Sequence, residues 1–360
     1  MKPPGEIRVA LIGFGYAGRV FHAPLIAATP GLSLVVIGSH QRERATAAYP
    51  GVEVVADPLA AVRHHAVDLA VIATPNDTHA PLAEEALRAG KHVVVDKPFT
   101  VTLAEARALV ATAAGAKRVL SAFQNRRWDS DFLGIARELA AGRIGEVVEL
   151  RSEISRYRPQ IRDRWRERAG PGAGLWYDLG PHLIDQALVL FGPPETVHAD
   201  LQVQRSGGSA IDWFQAVLGY GRTRVILASS MMAADPPTRF LVRGTKGSLT
   251  KRGGDPQEDQ LVAGMKPGSP GWGCDPDPLL FVAGDGSAPA ELRTPAGDYL
   301  SYYASIRDAI RGEGKPPVTP AQATTVMAVI EAGIQSSDEG RVVRQDYTAS
   351  ERSAWEPAME

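Results

Sequence analysis

Cysteine is almost absent from this sequence: Cys274 is the only one among 360 residues. A single thiol cannot form an internal disulfide, and no cysteine cluster suggests a zinc site. We therefore expect a protein of a reducing compartment with no bound metal. The N-terminus also lacks an apolar signal core, and no later apolar run is long enough to span a bilayer. These absences predict a cytoplasmic protein without a membrane partner.

An excess of charge of one sign is absent too. The chain has 39 basic and 41 acidic residues, which gives a net charge of -2. Such a chain has no general attraction for nucleic acid, so we expect no nucleic-acid partner. Hydrophobic residues make up 44% and charged residues 22%, as in soluble globular proteins. A chain of 360 residues is longer than one domain usually grows, which favours two domains.

From Arg8 to Phe123, short β-branched runs alternate with amphipathic segments of helical length. Continuous apolar runs separated by helices indicate a parallel sheet covered on both faces, the doubly wound α/β arrangement. Pro24 falls inside the first helical segment, so that helix should be short or kinked. The predicted strands are Val9–Ile12, Leu34–Ile37, Val52–Val55, Leu69–Thr74, His92–Val95 and Val119–Phe123, with helices at Ala80–Ala89 and Leu103–Ala114.

After Phe123 the strand candidates are longer and partly alternating, which predicts a mostly antiparallel sheet with one covered and one open face. An open face favours self-association, so we expect a homodimer or homotetramer through this sheet. Residues 1–124 should form one domain and residues 125–360 a second. The predicted strands are 145–157, 210–221 and 223–232; irregular surface loops are expected over Arg252–Gly297, and helices near Tyr299–Arg311 and Ala321–Ser337.

The glycines of "VALIGFGYAG" follow the first strand at G-x-G-x-x-G spacing. In a dinucleotide site the first glycine makes the turn, the second admits the pyrophosphate, and the third lets helix and strand pack closely. The position at the start of a β/α series makes this pattern specific. We assign Gly13, Gly15, Tyr16 and Gly18 to cofactor binding.

Cofactor choice is usually decided where the second strand ends, about twenty residues past the glycines, because an acid there bonds both ribose hydroxyls. This chain has "IGSHQRER" at that position, without an acid at the strand end. Ser39 can donate to a 2'-phosphate, and Arg42 or Arg44 can pair with it. We predict a preference for NADP(H) over NAD(H), with His40 beside the same group; the alternative is that the arginines form a solvated helix face.

Two further strand ends carry polar residues. "VVVDKPF" places Asp96 and Lys97 after the fifth strand, and "ATPNDTH" places Thr74, Pro75, Asn76 and His79 after the fourth. Ligands of doubly wound folds bind beyond the carboxyl ends of the strands, so Lys97 would face the site and stabilise developing alkoxide charge. The alternative for Lys97 is an ordinary surface lysine. Asn125 and Arg126, which follow the sixth strand, can be substrate ligands or loop-capping groups.

The stretch "LWYDLGPHLID" carries Asp178, His182 and Asp185. Histidine suits proton transfer near neutral pH, and an acid four residues earlier can orient its ring. The alternative is that Asp178 caps a helix that begins near Leu179 and that Pro181 lies in its first turn. His182, Asp185 and Gln186 then lie opposite an apolar stripe, on a face that is more often only wet than catalytic.

"RYRPQIRDRWRERAG", residues 156–170, is rich in arginine but interleaved with Asp163 and Glu167. Tyr157, Arg164 and Trp165 are candidates for the substrate pocket, because arginine suits polyol oxygens, carboxylates and phosphates. A salt-bridged surface loop is the competing interpretation.

Taken together, Gly13-x-Gly15-x-x-Gly18, Thr74-Pro75-Asn76-x-x-His79, Lys97-Pro98 and Asp178-x-x-x-His182 resemble the Gfo/Idh/MocA oxidoreductases in order and spacing. The resemblance covers nearly the whole chain, and other stretches are similar to the branch of NADP-dependent scyllo-inositol dehydrogenases. It implies an NAD(P)-binding Rossmann domain followed by an α/β domain with an open, largely antiparallel sheet. Lys97 matches the lysine of the family's Glu-Lys-Pro motif, where this chain has Asp96 for the glutamate, a shorter support for the lysine.

The resemblance implies hydride transfer between nicotinamide and a CH–OH or C=O carbon of a cyclic polyol or sugar. In that scheme Lys97 holds the substrate oxygen, His182 exchanges the proton, Asp178 orients His182, and Asp185 binds substrate hydroxyls. A second class of function is a non-catalytic NADPH-binding redox sensor. A sensor needs neither Lys97 nor His182, so their joint presence favours the enzyme.

Overall fold

The computed structural model describes residues 5–235 and 237–355, which divide into two compact units. The first unit comprises described residues up to Asn125 together with 257–272 and 298–324. The second comprises the described residues of 126–256, 273–297 and 325 onward. The sequence predicts a single boundary between residues 124 and 125, whereas two later segments of the chain also belong to the first unit.

The first unit is built on a six-stranded sheet in the order β3-β2-β1-β4-β5-β6, and all its strand pairs are parallel. This is the predicted doubly wound sheet. Strand β4 is buried along its whole length, and β1 and β5 are buried at every residue but one, as expected for strands covered on both faces. The strands are β1 Ile7–Ile12, β2 Leu32–Gly38, β3 Glu53–Val55, β4 Leu69–Ile72, β5 His92–Val95 and β6 Leu120–Ala122.

The helix after the glycine loop is irregular, as Pro24 predicts. A π turn spans Gly18–His22, where the Ala23 N–H donates to the Gly18 carbonyl, and regular α-helix α1 covers only Ala23–Ala28. Proline lacks an N–H, and π turns often accompany such breaks in the ladder. The other helices of this sheet are α2 Arg42–Ala48, α3 Pro58–Arg63, α4 His79–Arg88 and α5 Leu103–Ala116.

The prediction of irregular loops over Arg252–Gly297 is partly wrong. Helix α8 (Gln257–Val262) and strands β13 (Leu279–Ala283) and β14 (Ala290–Leu292) lie in this stretch. β13 pairs with β12 (Gly247–Lys251) over five residues, so an existing strand edge orders a segment whose glycine and proline content suggests loops. Helix α9 follows at Leu300–Arg311.

The second unit contains a nine-stranded sheet in the order β14-β13-β12-β11-β7-β10-β9-β8-β15. The β7–β10 pair is parallel and the other pairs are antiparallel, so the predicted mostly antiparallel sheet is confirmed. In β9 and β10 buried residues alternate with partly exposed ones. The remaining strands are β7 Val147–Glu153, β8 Thr196–Gln202, β9 Trp213–Tyr220, β10 Thr223–Ser230, β11 Phe240–Gly244 and β15 Val343–Arg344.

Close packing of two helices around Trp176 positions the residues of interest in the second unit. Trp176 Nε1 donates to the Ile330 carbonyl at 3.1 Å. A Cβ on Gly333 would lie 2.4 Å from the Trp176 ring, so glycine is required for this approach. The helices of the unit are α6 Ser130–Ala140, α7 Gly174–Phe191, α10 Pro320–Glu339 and α11 Ala349–Ser353.

Candidate active site

The three loop glycines have different surroundings. Gly13 has φ +99°, and a Cβ there would lie 2.3 Å from the Ala73 carbonyl oxygen. A Cβ on Gly18 would lie 2.1 Å from the Gly13 carbonyl oxygen. A Cβ on Gly15 would meet nothing within 4 Å. Turn and packing therefore require Gly13 and Gly18, whereas the open space at Gly15 fits a pyrophosphate that approaches the backbone.

The end of β2 presents polar side chains and no carboxylate until the first turn of α2. Ser39 Oγ accepts the Gln41 N–H at 3.0 Å, which shapes the turn into the helix. His40 and Arg42 are exposed on this turn, and Arg44 Nη1 donates to Gln41 Oε1 at 3.3 Å. Arg42 is the first residue of α2.

His79 joins the ends of two neighbouring strands. Its Nδ1 lies 2.8 Å from the Pro98 carbonyl oxygen and its Nε2 3.0 Å from the Thr74 carbonyl oxygen. Thr78 Oγ1 donates to Thr74 Oγ1 at 2.6 Å in the same turn. Pro75 precedes the 3-10 turn that begins at buried Asn76. These contacts give His79 a structural role in holding the loop after β4 against the loop after β5.

Lys97 follows β5, at the carboxyl edge of the parallel sheet, and is partly exposed. The Lys97 N–H donates to Asp96 Oδ1 at 2.8 Å. Asp96 Oδ2 lies 3.8 Å from Nε2 of His22, whose side chain is fully buried. Burial acts to raise the pKa of Asp96, but His22, Lys97 and His79 outweigh it and lower that pKa to about 2. Asp96 is therefore ionised at neutral pH.

The capping role considered for Asp178 is wrong. Helix α7 begins at Gly174 with Ala173 as its N-cap, so Asp178 and Pro181 both lie inside the helix. The helix thus starts earlier than the Pro181 position suggests, and its first turns include Trp176, which donates to the Ile330 carbonyl of α10. Asp178 and His182 are thus an i, i+4 pair on one helix face. Arg166 Nε lies 4.0 Å from Asp178 Oδ1.

The polar face of α7 is buried rather than wet. His182 is 5% exposed, and Asp185 and Gln186 are each 1% exposed. Both Asp185 carboxylate oxygens accept hydrogen bonds from Arg127, at 2.8 and 2.7 Å. Burial raises the pKa of Asp185 although Arg127 opposes the change. Asp185 therefore belongs to a buried ion pair with Arg127, and its contact with substrate hydroxyls stays a prediction.

Arg126 lies in the second unit beside Asp129, whose Oδ2 accepts from Arg126 Nη1 at 3.0 Å. The Arg126 carbonyl accepts from Gln186 Nε2, and Gln186 Oε1 in turn accepts from buried Arg239. The Gln186 hydrogen bond therefore connects α7 to the segment at the start of the second unit. Asn125 is buried in the first unit, at the start of a 3-10 turn.

Known proteins resemble this chain along most of its length. The profile "Oxidoreductase family, NAD-binding Rossmann fold" matches residues 7–124, and "Oxidoreductase family, C-terminal alpha/beta domain" matches residues 136–344. The chain belongs to the Gfo/Idh/MocA oxidoreductase family. It is an NAD(P)-dependent oxidoreductase, and the Gly15 opening on the Rossmann unit agrees with a nicotinamide dinucleotide.

Individual relatives of this family member cover nearly all of both chains. The uncharacterized oxidoreductase YdgJ of Escherichia coli is 52% identical over 92% of this chain and 96% of its own. The scyllo-inositol 2-dehydrogenase (NADP(+)) IolW of Bacillus subtilis is 35% identical, and the match covers 95% of this chain and 96% of the IolW chain. A crystal structure of a Klebsiella pneumoniae protein is 47% identical, covers 98% of each chain and has a TM-score of 0.91.

The arginine-rich segment of this family member contains the salt bridges that the competing interpretation expects. Arg205 Nη1 donates to Glu167 Oε2 at 3.0 Å and to the Arg158 carbonyl at 3.1 Å. Arg164 Nε lies 3.7 Å from Glu167 Oε1, and the Arg166 guanidinium lies over the Trp165 ring. Tyr157 is 58% exposed and forms an isolated bridge with Met232.

Some residues that contact the predicted site residues come from distant parts of the chain, and the sequence motifs do not identify them. His22 and Tyr303 are buried beside Asp96, and Tyr16 donates to Glu258 of α8 at 2.9 Å. Tyr303 and Glu258 come from segments that return late to the Rossmann unit. The one available signal was His22, a polar residue inside the apolar first helix. In the described parts of the chain no helix is long and apolar enough to cross a membrane.

Proposed function

We propose that this chain is an NADP(H)-dependent oxidoreductase acting on a CH–OH or C=O carbon of a cyclic polyol or sugar. The observation that carries the proposal is a lysine at the carboxyl edge of a parallel sheet whose glycine loop fits a dinucleotide. The inositol dehydrogenase and anhydrofructose reductase named among the relatives support a polyol or sugar substrate.

The cofactor preference rests on the end of β2. A carboxylate there would repel a 2'-phosphate, and this turn instead offers the Ser39 hydroxyl and the exposed Arg42 guanidinium. His40 lies between them. The relative named for NADP(+) supports the same choice.

Lys97 would hold the substrate oxygen. A bound nicotinamide supplies the hydride acceptor or donor at its ring carbon. As the hydride leaves an alcohol carbon, negative charge grows on the oxygen, and the Lys97 ammonium stabilises it. Ionised Asp96, which accepts the Lys97 N–H, fixes the backbone that carries the ammonium.

His182 would exchange the hydroxyl proton. During oxidation it accepts the proton, and during reduction it returns the proton to the alkoxide, so the atoms balance in both directions. Asp178, one helical turn earlier on the same face, would orient the imidazole and favour its protonated form. We propose Asn125, Arg126, Tyr157, Arg164 and Trp165 as candidates for substrate contact.

Replacing Lys97 by methionine tests the proposal. We expect Lys97→Met to bind NADPH with nearly unchanged affinity but to lose at least about 10² in kcat with the best substrate from a panel of inososes, ketoses and dicarbonyls. Lys315→Met, at an exposed lysine of the same unit, is the matched control and should be normal. Near-normal turnover of Lys97→Met would defeat the assignment. A wild-type protein that binds NADPH but reduces no carbonyl would favour the redox sensor.

A further inference from the structure

A buried group of four side chains lies behind Lys97 in the first unit. His22 and Tyr303 are 0% exposed and Asp96 is 5% exposed, and the tilted Phe123 ring contacts His22 with 4.3 Å between ring centroids. Ionisable groups are rarely buried to this degree unless they are paired. This group thus requires an explanation that core packing alone does not give.

The contacts form a chain that ends at Lys97. Tyr303 Oη lies 2.6 Å from His22 Nδ1, and His22 Nε2 lies 3.8 Å from Asp96 Oδ2. The other carboxylate oxygen, Oδ1, accepts the Lys97 N–H at 2.8 Å. Among the described residues His22 Nε2 has no hydrogen-bond partner, so the Asp96 carboxylate is the charge that it faces.

We propose that His22, anchored by Tyr303, is a positioning residue that acts through Asp96 on Lys97. Asp96 has a shorter side chain than glutamate, so it can accept the N–H of the next residue while its second oxygen points back into the core. His22 Nε2 faces that second oxygen at 3.8 Å, and their electrostatic attraction favours one orientation of the carboxylate. The inference rests on the proposed function where it assigns the purpose of the group, which is to fix the Lys97 ammonium for turnover.

The residues of this group come from distant parts of the chain, including a late segment of the first unit. His22 lies in the π turn after the glycine loop, Asp96 follows β5, and Tyr303 comes from α9, 281 residues after His22. A π turn changes the direction of the side chains in it relative to a regular helix. The π turn and α9 therefore meet at the group behind Lys97.

Two neighbouring tyrosines of α9 allow a matched test. Tyr303→Phe removes the hydroxyl that contacts His22, whereas Tyr302→Phe removes an equally buried hydroxyl that donates to Ser121 Oγ at 3.0 Å. We expect Tyr303→Phe and His22→Leu to lower kcat by about tenfold or more, because small misplacements are costly in catalysis. KM and the NADPH dissociation constant should change less than about twofold in these variants, and Tyr302→Phe should keep all three constants. Because Tyr303→Phe keeps its ring, it remains informative if His22→Leu does not fold.

Amide hydrogen exchange of Lys97 provides a second measurement that needs no substrate. In Tyr303→Phe the His22 imidazole loses its anchor and no longer keeps one position opposite Asp96, so the Lys97 N–H should exchange about tenfold faster while the β5 amides keep their rates. Unchanged Lys97 exchange in Tyr303→Phe, or an equal increase in Tyr302→Phe, overturns the inference. If the Lys97 amide responds as expected but the wild type reduces no carbonyl, the positioning role stands and the proposed function fails.

Discussion

At the scale of single residues, the glycine loop shows how identical residues serve different requirements. Gly13 and Gly18 are needed because backbone atoms occupy the space of a side chain. Gly15 borders open space, so its requirement comes from a ligand and not from the fold. The spacing in the sequence predicts the loop, and the surroundings of each glycine separate folding from binding.

Gly15→Ala should therefore weaken NADPH binding by at least about tenfold while the free energy of unfolding changes by less than about 1 kcal/mol. NADPH titration by fluorescence and urea unfolding measure the two effects. Gly115→Ala, at a second glycine with nothing within 4 Å of its Cβ position, is the control and should leave affinity unchanged. Normal NADPH affinity in Gly15→Ala would contradict the placement of the pyrophosphate.

Cofactor choice is also a property of single residues. Arg42→Ala should lower NADPH affinity by about tenfold and leave NADH affinity unchanged, because only the 2'-phosphate pairs with the guanidinium. Parallel titrations with both cofactors check this. Arg88→Ala, at an exposed arginine paired with Glu84, controls for general loss of positive charge. A wild-type preference for NADH would show that Arg42 is only part of a solvated helix face.

At the scale of elements, α7 decides the role of Asp178. A helix that begins near Leu179 would make Asp178 a cap, but α7 begins at Gly174 and places Asp178 one turn before His182 on the same helix face. The first turns of the helix contain Trp176, which bonds to α10 far along the chain, a contact that a local pattern does not contain. Pro181 costs the helix one donor and is nevertheless accommodated.

Asp178→Ala should thus leave stability nearly unchanged, because alanine is favourable inside a helix and no cap is lost. Thr102→Ala breaks a real capping box with Glu105 and should cost about 1 kcal/mol. Urea unfolding compares the two variants, and steady-state kinetics should show reduced kcat only for Asp178→Ala. Equal losses of stability would return Asp178 to a structural role.

At the scale of the whole molecule, the nine-stranded sheet has a face that the described residues of the second unit leave partly exposed. Val217 and Ile226 face each other there across β9 and β10, beside Arg151 and Leu241. Buried residues such as Leu218 and Val225 lie on the opposite face. A broad sheet face with apolar side chains favours association with a second copy, so we propose a homodimer or homotetramer through it.

Val217→Glu should convert such an oligomer to smaller species, since a charge buried at an interface costs several kcal/mol. Light scattering coupled to size-exclusion chromatography measures the mass. Val262→Glu places the same charge at a 59% exposed valine of α8, in the first unit, and should leave the mass unchanged. An unchanged oligomer in Val217→Glu would place the interface elsewhere.

The features that the sequence by itself determined depend on residues that are close to one another along the chain. The glycine spacing, the continuous apolar strands and the strand-end positions of Asn76 and Lys97 depend on residues that are close along the chain, and they predict the doubly wound sheet and its ligand edge. The alternating strands of the second half predict a mostly antiparallel sheet for the same reason. Irregular loops were wrongly predicted where β13 gains order from its partner β12.

Only the tertiary structure decided which side chains meet across long stretches of sequence. Arg127 pairs with Asp185 in a buried ion pair, and Tyr303 reaches His22 behind Asp96. His79 links two strand ends, and Trp176 in the early turns of α7 bonds to Ile330 of α10. Such contacts depend on the burial of groups far apart in the chain, and no local period or motif encodes which partner each buried group finds.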